Sequence, residues 1–181
     1  MKLFKWFRKS PQLREEDALR LATLPVYIAS EQPLDQQRFV VVDLETSGLN
    51  TLKDKILSIG AVTIDQSAIA LGQQFSCTLR RTNHAVSESV LIHQIPPSEV
   101  AAGVRPENAL LSFMEYVGSS PLLAFHASFD QRMLVREMDD AFAYPLRHAF
   151  YDVAEIAPLL YPEHGMRTPG LDDWVKFFNL Q

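Results

Sequence analysis

Hydrophobic residues between positions 38 and 81 follow two patterns that are typical of β-strands. The segment FVVVDLE, Phe39–Glu45, is a continuous apolar run that ends in acids, which predicts a central strand buried on both faces. The segments Lys55–Asp65 and Leu71–Arg81 alternate apolar and polar residues and are separated by a short polar turn. They are predicted to form a hairpin, so three strands open the fold.

The second half of the chain predicts strands that alternate with helices. A helix is predicted over 106–118, with a proline near its start and a glycine at its end. Its apolar positions share one face: Leu110, Phe113, Met114 and Val117. The apolar run 121–125 predicts the next strand. Ser128 with Gln131 three residues later is typical of a capping box, which predicts a helix that runs towards Met138.

Two further helices complete the pattern. The segment HAFYD, 148–152, predicts a strand end, and a helix is expected over 153–161 although Pro158 would disturb its interior. Thr168 and Pro169 predict the start of a last helix. Strands that come first and then alternate with helices predict an α/β fold.

The first ten residues, MKLFKWFRKS, are basic and aromatic and contain no acid. Charges interrupt the apolar positions too often for a signal peptide, and the segment is too short to span a membrane, so we expect a cytoplasmic chain. Two interpretations stay open: a terminal arm, or a surface that binds a membrane, a partner or nucleic acid. A helix over Arg14–Leu24 and a linker over 30–37 are predicted, so residues 1–37 form an extension ahead of the domain.

Composition limits the classes of protein that fit these elements. With 181 residues, of which 47% are hydrophobic, the chain can bury one substantial core, and a single domain is expected. The lone Cys77 excludes a disulfide framework. A formal net charge of -5 argues against a globally basic nucleic-acid surface, yet carboxylates that hold cations also make an enzyme locally acidic. The arginines that could form a local basic patch, or be ordinary surface charges, are Arg80, Arg81, Arg132 and Arg136.

The strongest chemical signal is the pair Asp43 and Glu45 at the end of the first apolar run. Side chains two positions apart in a strand project from one face, so the two residues lie about 6–7 Å apart along the strand. Neighbouring carboxylates beside a buried strand are costly unless a cation or hydrogen bonds compensate, which favours a metal site. The alternative is an ordinary strand end that emerges into solvent. The tight turn at Gly48, directly after the acids, favours the metal site.

A second signal is the segment AFHASFD, 124–130, in which a strand leads into the first turn of a helix that carries Asp130. The helix dipole favours an acid at this position even without a metal. In open α/β sheets, however, ligands gather at the carboxyl ends of strands, and both Asp130 and the Asp43 pair are expected there. The coincidence predicts one shared site.

These segments resemble the motifs of the DnaQ-like 3′–5′ exonucleases of the DEDD superfamily, histidine subtype. DLETSGL, 43–49, is similar to the first family motif, DxETTGL. AFHASFD is similar to the second motif, HNAxFD, with His126 where the family most often has asparagine. LIHQI, 91–95, is similar to an HGI segment near the terminal nucleotide. YDVAEIAPLLYP resembles a helix headed by an aspartate, here Asp152, whose role is structural rather than metal binding.

The resemblance implies an RNase H-like α/β fold, in which an antiparallel hairpin is joined to parallel strands and the mixed sheet is flanked by helices. It also implies hydrolysis of phosphodiester bonds at a DNA or RNA 3′ end with two Mg²⁺ or Mn²⁺ ions, and a polymerase subunit as a partner. The implied catalytic and metal-binding residues are Asp43, Glu45 and Asp130. The implied contacts with the terminal nucleotide are Thr46, Leu49, His93, His126 and Phe129.

The third family motif, HxAxxD, supplies a general-base histidine and a last metal-binding aspartate, and the sequence does not contain it. The resemblance therefore implies a domain over 38–181 that is incomplete at its C-terminus. Loss of a general base typically costs about 10²- to 10⁴-fold in rate. Two interpretations stay open: an exonuclease that is weak or inactive as given, and a non-catalytic module that binds a strand end or a polymerase. A serine or cysteine hydrolase has little support, because no GxSxG motif occurs.

Overall fold

The protein folds around one mixed β-sheet, which a computed structural model describes over residues 13–81 and 95–180. The strands are β1 (Phe39–Thr46), β2 (Ile56–Asp65), β3 (Ala68–Ile69), β4 (Phe75–Thr78), β5 (Leu122–Ala124) and β6 (Phe150–Asp152). Within the described ranges these six strands pair in the order β3-β2-β1-β5-β6, and β4 pairs with the same strand as β3, namely β2. Pairing is antiparallel from β1 through β4 and parallel from β1 to β5 and β6. The predicted combination of antiparallel and parallel strands is confirmed.

Helices follow and precede these strands. They are α1 (Glu15–Ala22), α2 (Pro97–Ala102), α3 (Pro106–Val117), α4 (Ser128–Phe142), α5 (Val153–Leu160) and α6 (Leu171–Phe177). Single 3₁₀ turns lie at Leu34–Gln36, Leu71–Gln73 and Pro162–His164. In the described part of the chain, no helix is both long and apolar enough to cross a membrane.

The core lies between one face of the sheet and the helices α3 and α4. In β1, the buried apolar side chains are Val40, Val42 and Leu44. They belong to one cluster with Phe113 of α3 and Met133 of α4, among others. The predicted amphipathic helix over 106–118 is confirmed, since its apolar face supplies much of this cluster and Gly118 follows its last turn.

The opposite face of β1 is less covered than expected. Val41 and Glu45 are half-buried and Asp43 is exposed, so the prediction of a strand buried on both faces is wrong, although the strand is central in the sheet. The run of valines is explained by burial of every second residue. This leaves the acids on the accessible face.

The helix α1 packs on α3 instead of lying apart from the domain. Arg20 pairs with Glu115 at 2.7 Å and donates to the Ser112 hydroxyl at 2.9 Å, and Leu24 is buried in the core cluster. The division of the chain into an extension over 1–37 and a domain over 38–181 stays a prediction. Residues 1–12, on which the basic N-terminal segment falls, lie outside the described residues.

Three local predictions need correction. The second hairpin strand is shorter than Leu71–Arg81, because a 3₁₀ turn occupies Leu71–Gln73 and β4 covers only Phe75–Thr78. The predicted capping box at Ser128 is wrong: the N-cap of α4 is Ala127, and no side chain caps it. The last helix begins after Gly170, whose N–H donates to the Asp173 carboxylate at 2.9 Å, and not at Thr168.

Pro158 is accommodated inside α5 without ending it. The helix continues to Leu160, two residues beyond the proline, and is only eight residues long. None of its residues is buried, so the loss of one backbone hydrogen bond falls on an exposed element.

Arg38 joins the start of β1 to the C-terminal end of α3. Its guanidinium donates to the carbonyls of Tyr116 and Val117, each at 2.9 Å, to Ser120 Oγ at 2.7 Å and to Thr63 Oγ1 at 3.0 Å. These carbonyls are among those that a helix end leaves without intrahelical partners, and a cation there is also favoured by the helix dipole. One side chain therefore fixes α3 against the sheet.

Replacement of Arg38 by alanine is expected to lower the free energy of unfolding by about 2–3 kcal/mol, because several part-buried acceptors lose their donor. Urea denaturation measures this loss. Arg132→Ala is the matched control, since Arg132 is exposed and donates only within its own helix. Its expected effect is within about 0.5 kcal/mol. Equal losses in the two variants would contradict the role given to Arg38.

Candidate active site

Asp43 and Glu45 project from the accessible face of β1, near the carboxyl end of that strand. Across the antiparallel pair with β2, Asp43 lies opposite Gly60 and Glu45 lies opposite Ser58. Because Gly60 has no side chain, the space beside Asp43 stays open. A register shift between Glu45 and Thr46 then ends the regular pairing.

Asp130 lies in the first turn of α4, which follows β5, the parallel neighbour of β1. The two strands end at the same edge of the sheet, as the sequence predicted, and this brings Asp130 towards the accessible face of β1. The Asp130 side chain is only 6% exposed. It accepts hydrogen bonds from its own backbone N–H and from that of Leu44, which fixes it beside β1.

Burial and neighbouring acids change the pKa of Asp130. Burial, then the charge of Asp43 and to a smaller degree that of Asp152, raises the pKa of Asp130 from 3.8 to about 7, against the two backbone hydrogen bonds that lower it. Two neighbouring carboxylates repel each other when both are charged. A cation bound between them would stabilise the doubly charged form.

The loop between β1 and β2 is built around the side chain of Asp54. Its carboxylate accepts from the Ser47 hydroxyl at 2.9 Å and from the Asn50 N–H at 2.8 Å. A Cβ at Gly48 would lie 2.6 Å from Asp54 Oδ2, so any larger residue at this position would have to displace that carboxylate. The loop presents Leu49, which is 86% exposed, directly after the acids.

The helix α4 holds this loop through hydrogen bonds to its backbone. Arg136 donates to backbone carbonyls of the loop, including that of Asp54. The next residue, Glu137, is 4% exposed and pairs with Arg81 at 3.0 Å and with Lys55 at 3.7 Å. The helix that carries Asp130 therefore also positions the loop that follows Asp43 and Glu45.

Two of the four arginines suggested for a basic patch belong to this network. Arg81 and Arg136 have side chains that are only 14% and 17% exposed. They are neither surface charges nor a patch that faces substrate, and their role is structural. Arg80 and Arg132 are exposed, and each donates to a backbone carbonyl, at 3.0 and 2.9 Å.

The residues suggested for nucleotide contact have different environments. The Thr46 side chain is buried and donates to the carbonyl of Gly48 at 2.8 Å. His126 is exposed at the end of β5, and Phe129 is half-buried against the core. His93 lies outside the described residues, so its contribution stays a prediction.

Asp152 is where the sequence suggested a structural aspartate. Its Oδ1 accepts from the Ala154 N–H at 2.9 Å, which caps α5, and from the His126 N–H at 3.0 Å. The helix cap could be predicted from the sequence, because an aspartate precedes the helix. The hydrogen bond to His126 joins positions 26 apart, and the sequence does not predict it.

The oxygen ligands here fit a hard divalent cation such as Mg²⁺ or Mn²⁺, and the raised pKa of Asp130 gives the physical reason for one. Over residues 13–81 and 95–180, no group of three or more His, Cys, Asp or Glu side chains is arranged to hold a metal ion. The fit therefore rests on the facing pair Asp43 and Asp130, with Glu45 on the same face of β1.

Replacement of Gly48 by alanine is expected to destabilise the protein by about 1–2 kcal/mol, because the new Cβ displaces the carboxylate of Asp54 and breaks its bonds within the loop. Gly72→Ala is the matched control, since a Cβ there has no neighbour within 4 Å. Thermal unfolding of both variants measures the difference. A Gly48→Ala protein as stable as Gly72→Ala would show that the loop can be rearranged at no cost.

Replacement of Asp130 by asparagine is expected to stabilise the metal-free protein at neutral and alkaline pH. The pKa of Asp130 is about 7 in the folded protein and 3.8 ordinarily, so the folded state binds the proton more tightly. The stability that Asp130 contributes is therefore complete below about pH 4 and is lost as the pH rises through about 7. In EDTA, the melting temperature of Asp130→Asn should exceed that of wild type above pH 7, and the difference should vanish towards pH 4.

Asp65→Asn is the control for that measurement, because Asp65 is an exposed acid at the other end of the sheet. If both substitutions change the melting temperature in the same way, the effect comes from net charge and not from the facing carboxylates.

Comparison with known proteins places this chain in a family. A family model described as Exonuclease matches residues 40–181. A DNA polymerase III subunit epsilon from Treponema pallidum is 29% identical over 143 residues, which are 78% of this chain and 65% of that protein. A PolC-type DNA polymerase III from Clostridium perfringens is 28% identical over 139 residues, which are 77% of this chain and 9% of that protein. The chain thus spans less than two thirds of either relative.

Solved structures agree on the fold. A structure of exonuclease I has a TM-score of 0.67 and 18% sequence identity and covers 81% of this chain and 36% of its own. A second, of E. coli exonuclease I with a 5cy-dT13 oligonucleotide, has a TM-score of 0.61 and 20% identity and covers 76% of this chain and 33% of its own. The RNase H-like α/β fold is confirmed. Exonucleases of this kind generally use divalent metal ions. The chain belongs to the exonuclease family.

Proposed function

We propose that the chain is a metal-dependent 3′–5′ exonuclease domain that hydrolyses phosphodiester bonds at the 3′ end of a DNA strand. The observation that carries this proposal is the burial of Asp130 close to Asp43, where two neighbouring parallel strands end. Burial first, and then the charge of Asp43, raise the pKa of Asp130 to about 7. Membership of the exonuclease family supports the reaction class. Similarity to two DNA polymerase III proteins supports DNA as the substrate and a polymerase as the partner.

Asp43 and Asp130 would hold a shared cation between them, and Glu45 would add an oxygen ligand from the same face of β1. When bound, two Mg²⁺ or Mn²⁺ ions supply an activated water at neutral pH and positive charge at the scissile phosphate. Asp130 must lose its proton to act as a ligand, so ligand formation at this residue is favoured as the pH rises through about 7.

The remaining residues would bind and orient the strand end. Leu49 is an exposed apolar side chain beside the acids and is suited to pack on the terminal base. Thr46 would contribute its backbone, because its side chain is buried. His126 and Phe129, at the start of α4, would border the same nucleotide, and His93 completes the proposed set.

The similarity to replicative polymerases also supports a cytoplasmic location for the protein. A contact of the basic N-terminal segment with a partner or surface stays a prediction from sequence.

Degradation of a 5′-labelled single-stranded DNA oligonucleotide tests the activity. With Mn²⁺ or Mg²⁺ we expect a ladder of products that shorten from the 3′ end, and none with EDTA. Asp43→Asn should lower the rate at least about 100-fold, because a cation that contributes several kcal/mol of transition-state stabilisation loses a ligand. Asp65→Asn should leave the rate unchanged.

Two outcomes would overturn this proposal. If wild type binds labelled strand ends but shortens none with any metal, the chain is a binding module of the same fold. If Asp65→Asn loses as much activity as Asp43→Asn, the facing carboxylates are not the reactive site.

A further inference from the structure

The turn that leads into α4 contains a backbone conformation that costs energy. His126 has a φ of 61°, in the left-handed region that residues other than glycine seldom adopt. The conformation needs compensating contacts to persist. This turn separates β5 from Asp130 by only a few residues, so its geometry decides where the Asp130 carboxylate lies.

One acceptor compensates the turn. The His126 N–H donates to Asp152 Oδ1 at 3.0 Å, and the same oxygen accepts from the Ala154 N–H at 2.9 Å. Asp152 is in register with Ala124 across the parallel pair β5 and β6, so it lies beside the end of β5. A single carboxylate thus joins two strand-to-helix turns, one of which carries Asp130.

We infer that Asp152 is a positioning residue, which holds the left-handed turn at His126 and thereby sets Asp130 opposite Asp43. The inference rests on the proposed function of those two carboxylates as metal ligands. Asp152 acts through hydrogen bonds to the backbone and not as a ligand itself. Its own charge faces Asp130, so the hydrogen bonds and the charge must be separated by experiment.

Three substitutions separate the possible roles. Asp152→Asn keeps the carbonyl oxygen that accepts both hydrogen bonds and removes the charge. Asp152→Ser caps a helix as well as aspartate does, but its side chain is one bond shorter and does not reach His126. Asp152→Ala loses both bonds. A residue that only caps α5 would give the same result in the serine and asparagine variants, whereas a residue that positions Asp130 would not.

The affinity for Mn²⁺, followed by the loss of the free-ion signal in electron paramagnetic resonance, is the main readout. We expect Asp152→Asn to bind within about threefold of wild type. Asp152→Ser and Asp152→Ala should both bind about 10- to 100-fold more weakly, the range for residues that orient metal ligands. The melting temperature should fall most in Asp152→Ala, by about 2–4 °C, because this variant loses the helix cap as well as the bond to His126.

Two results would overturn the inference. An asparagine variant as weak as the alanine variant would show that the charge matters and the hydrogen bonds do not. A serine variant that binds like wild type would show that Asp152 only caps α5.

Amide hydrogen exchange separates this inference from the proposed function. The His126 N–H should be protected in wild type and Asp152→Asn and should exchange faster in the serine and alanine variants. If wild type binds no Mn²⁺, the proposed function fails, and exchange at His126 and in the first turn of α4 then decides whether Asp152 holds the turn. Unchanged exchange in Asp152→Ala would end the inference whatever the metal affinity.

Discussion

The alternation of side chains along β1 is the constraint on which the rest of the structure depends. Every second residue enters the core beneath α3 and α4, and this fixes the residues between them on the accessible face. Asp43 and Glu45 are thereby held in one direction by the same packing that stabilises the domain. A shift of one residue in register would bury both acids and expose the valines, so the site and the core specify each other.

Asp130 lies opposite this strand, in an environment that disfavours its charged form. The carboxyl is buried beside another acid, which raises its pKa, and only two backbone hydrogen bonds oppose the effect. Nearby, the buried Glu137 is paired with Arg81 and Lys55. A buried acid whose pKa is strongly raised by burial and by a neighbouring charge is typical of a functional site.

Much of the fold was predictable because its signals are local. The central strand, the amphipathic helix over 106–118 and the approach of Asp43 and Asp130 follow from periodicity and from the rule for strand ends. The capping box at Ser128 failed because its spacing says nothing of where the turn begins, which the left-handed residue at 126 decides. Arg38 and the Glu137 network join positions more than fifty residues apart, and no pattern in a single sequence reports such contacts.

The loop after the acids has a consequence for how this domain can vary. The Asp54 carboxylate fills the space beside Gly48 and accepts hydrogen bonds from Ser47 and from Asn50. These contacts fix the length of the loop. Insertions or deletions between Ser47 and Asp54 would separate groups that fit only at their present spacing. By contrast, the turn between β2 and β3 is exposed. Variation in length should therefore be excluded from the first loop and tolerated at the second.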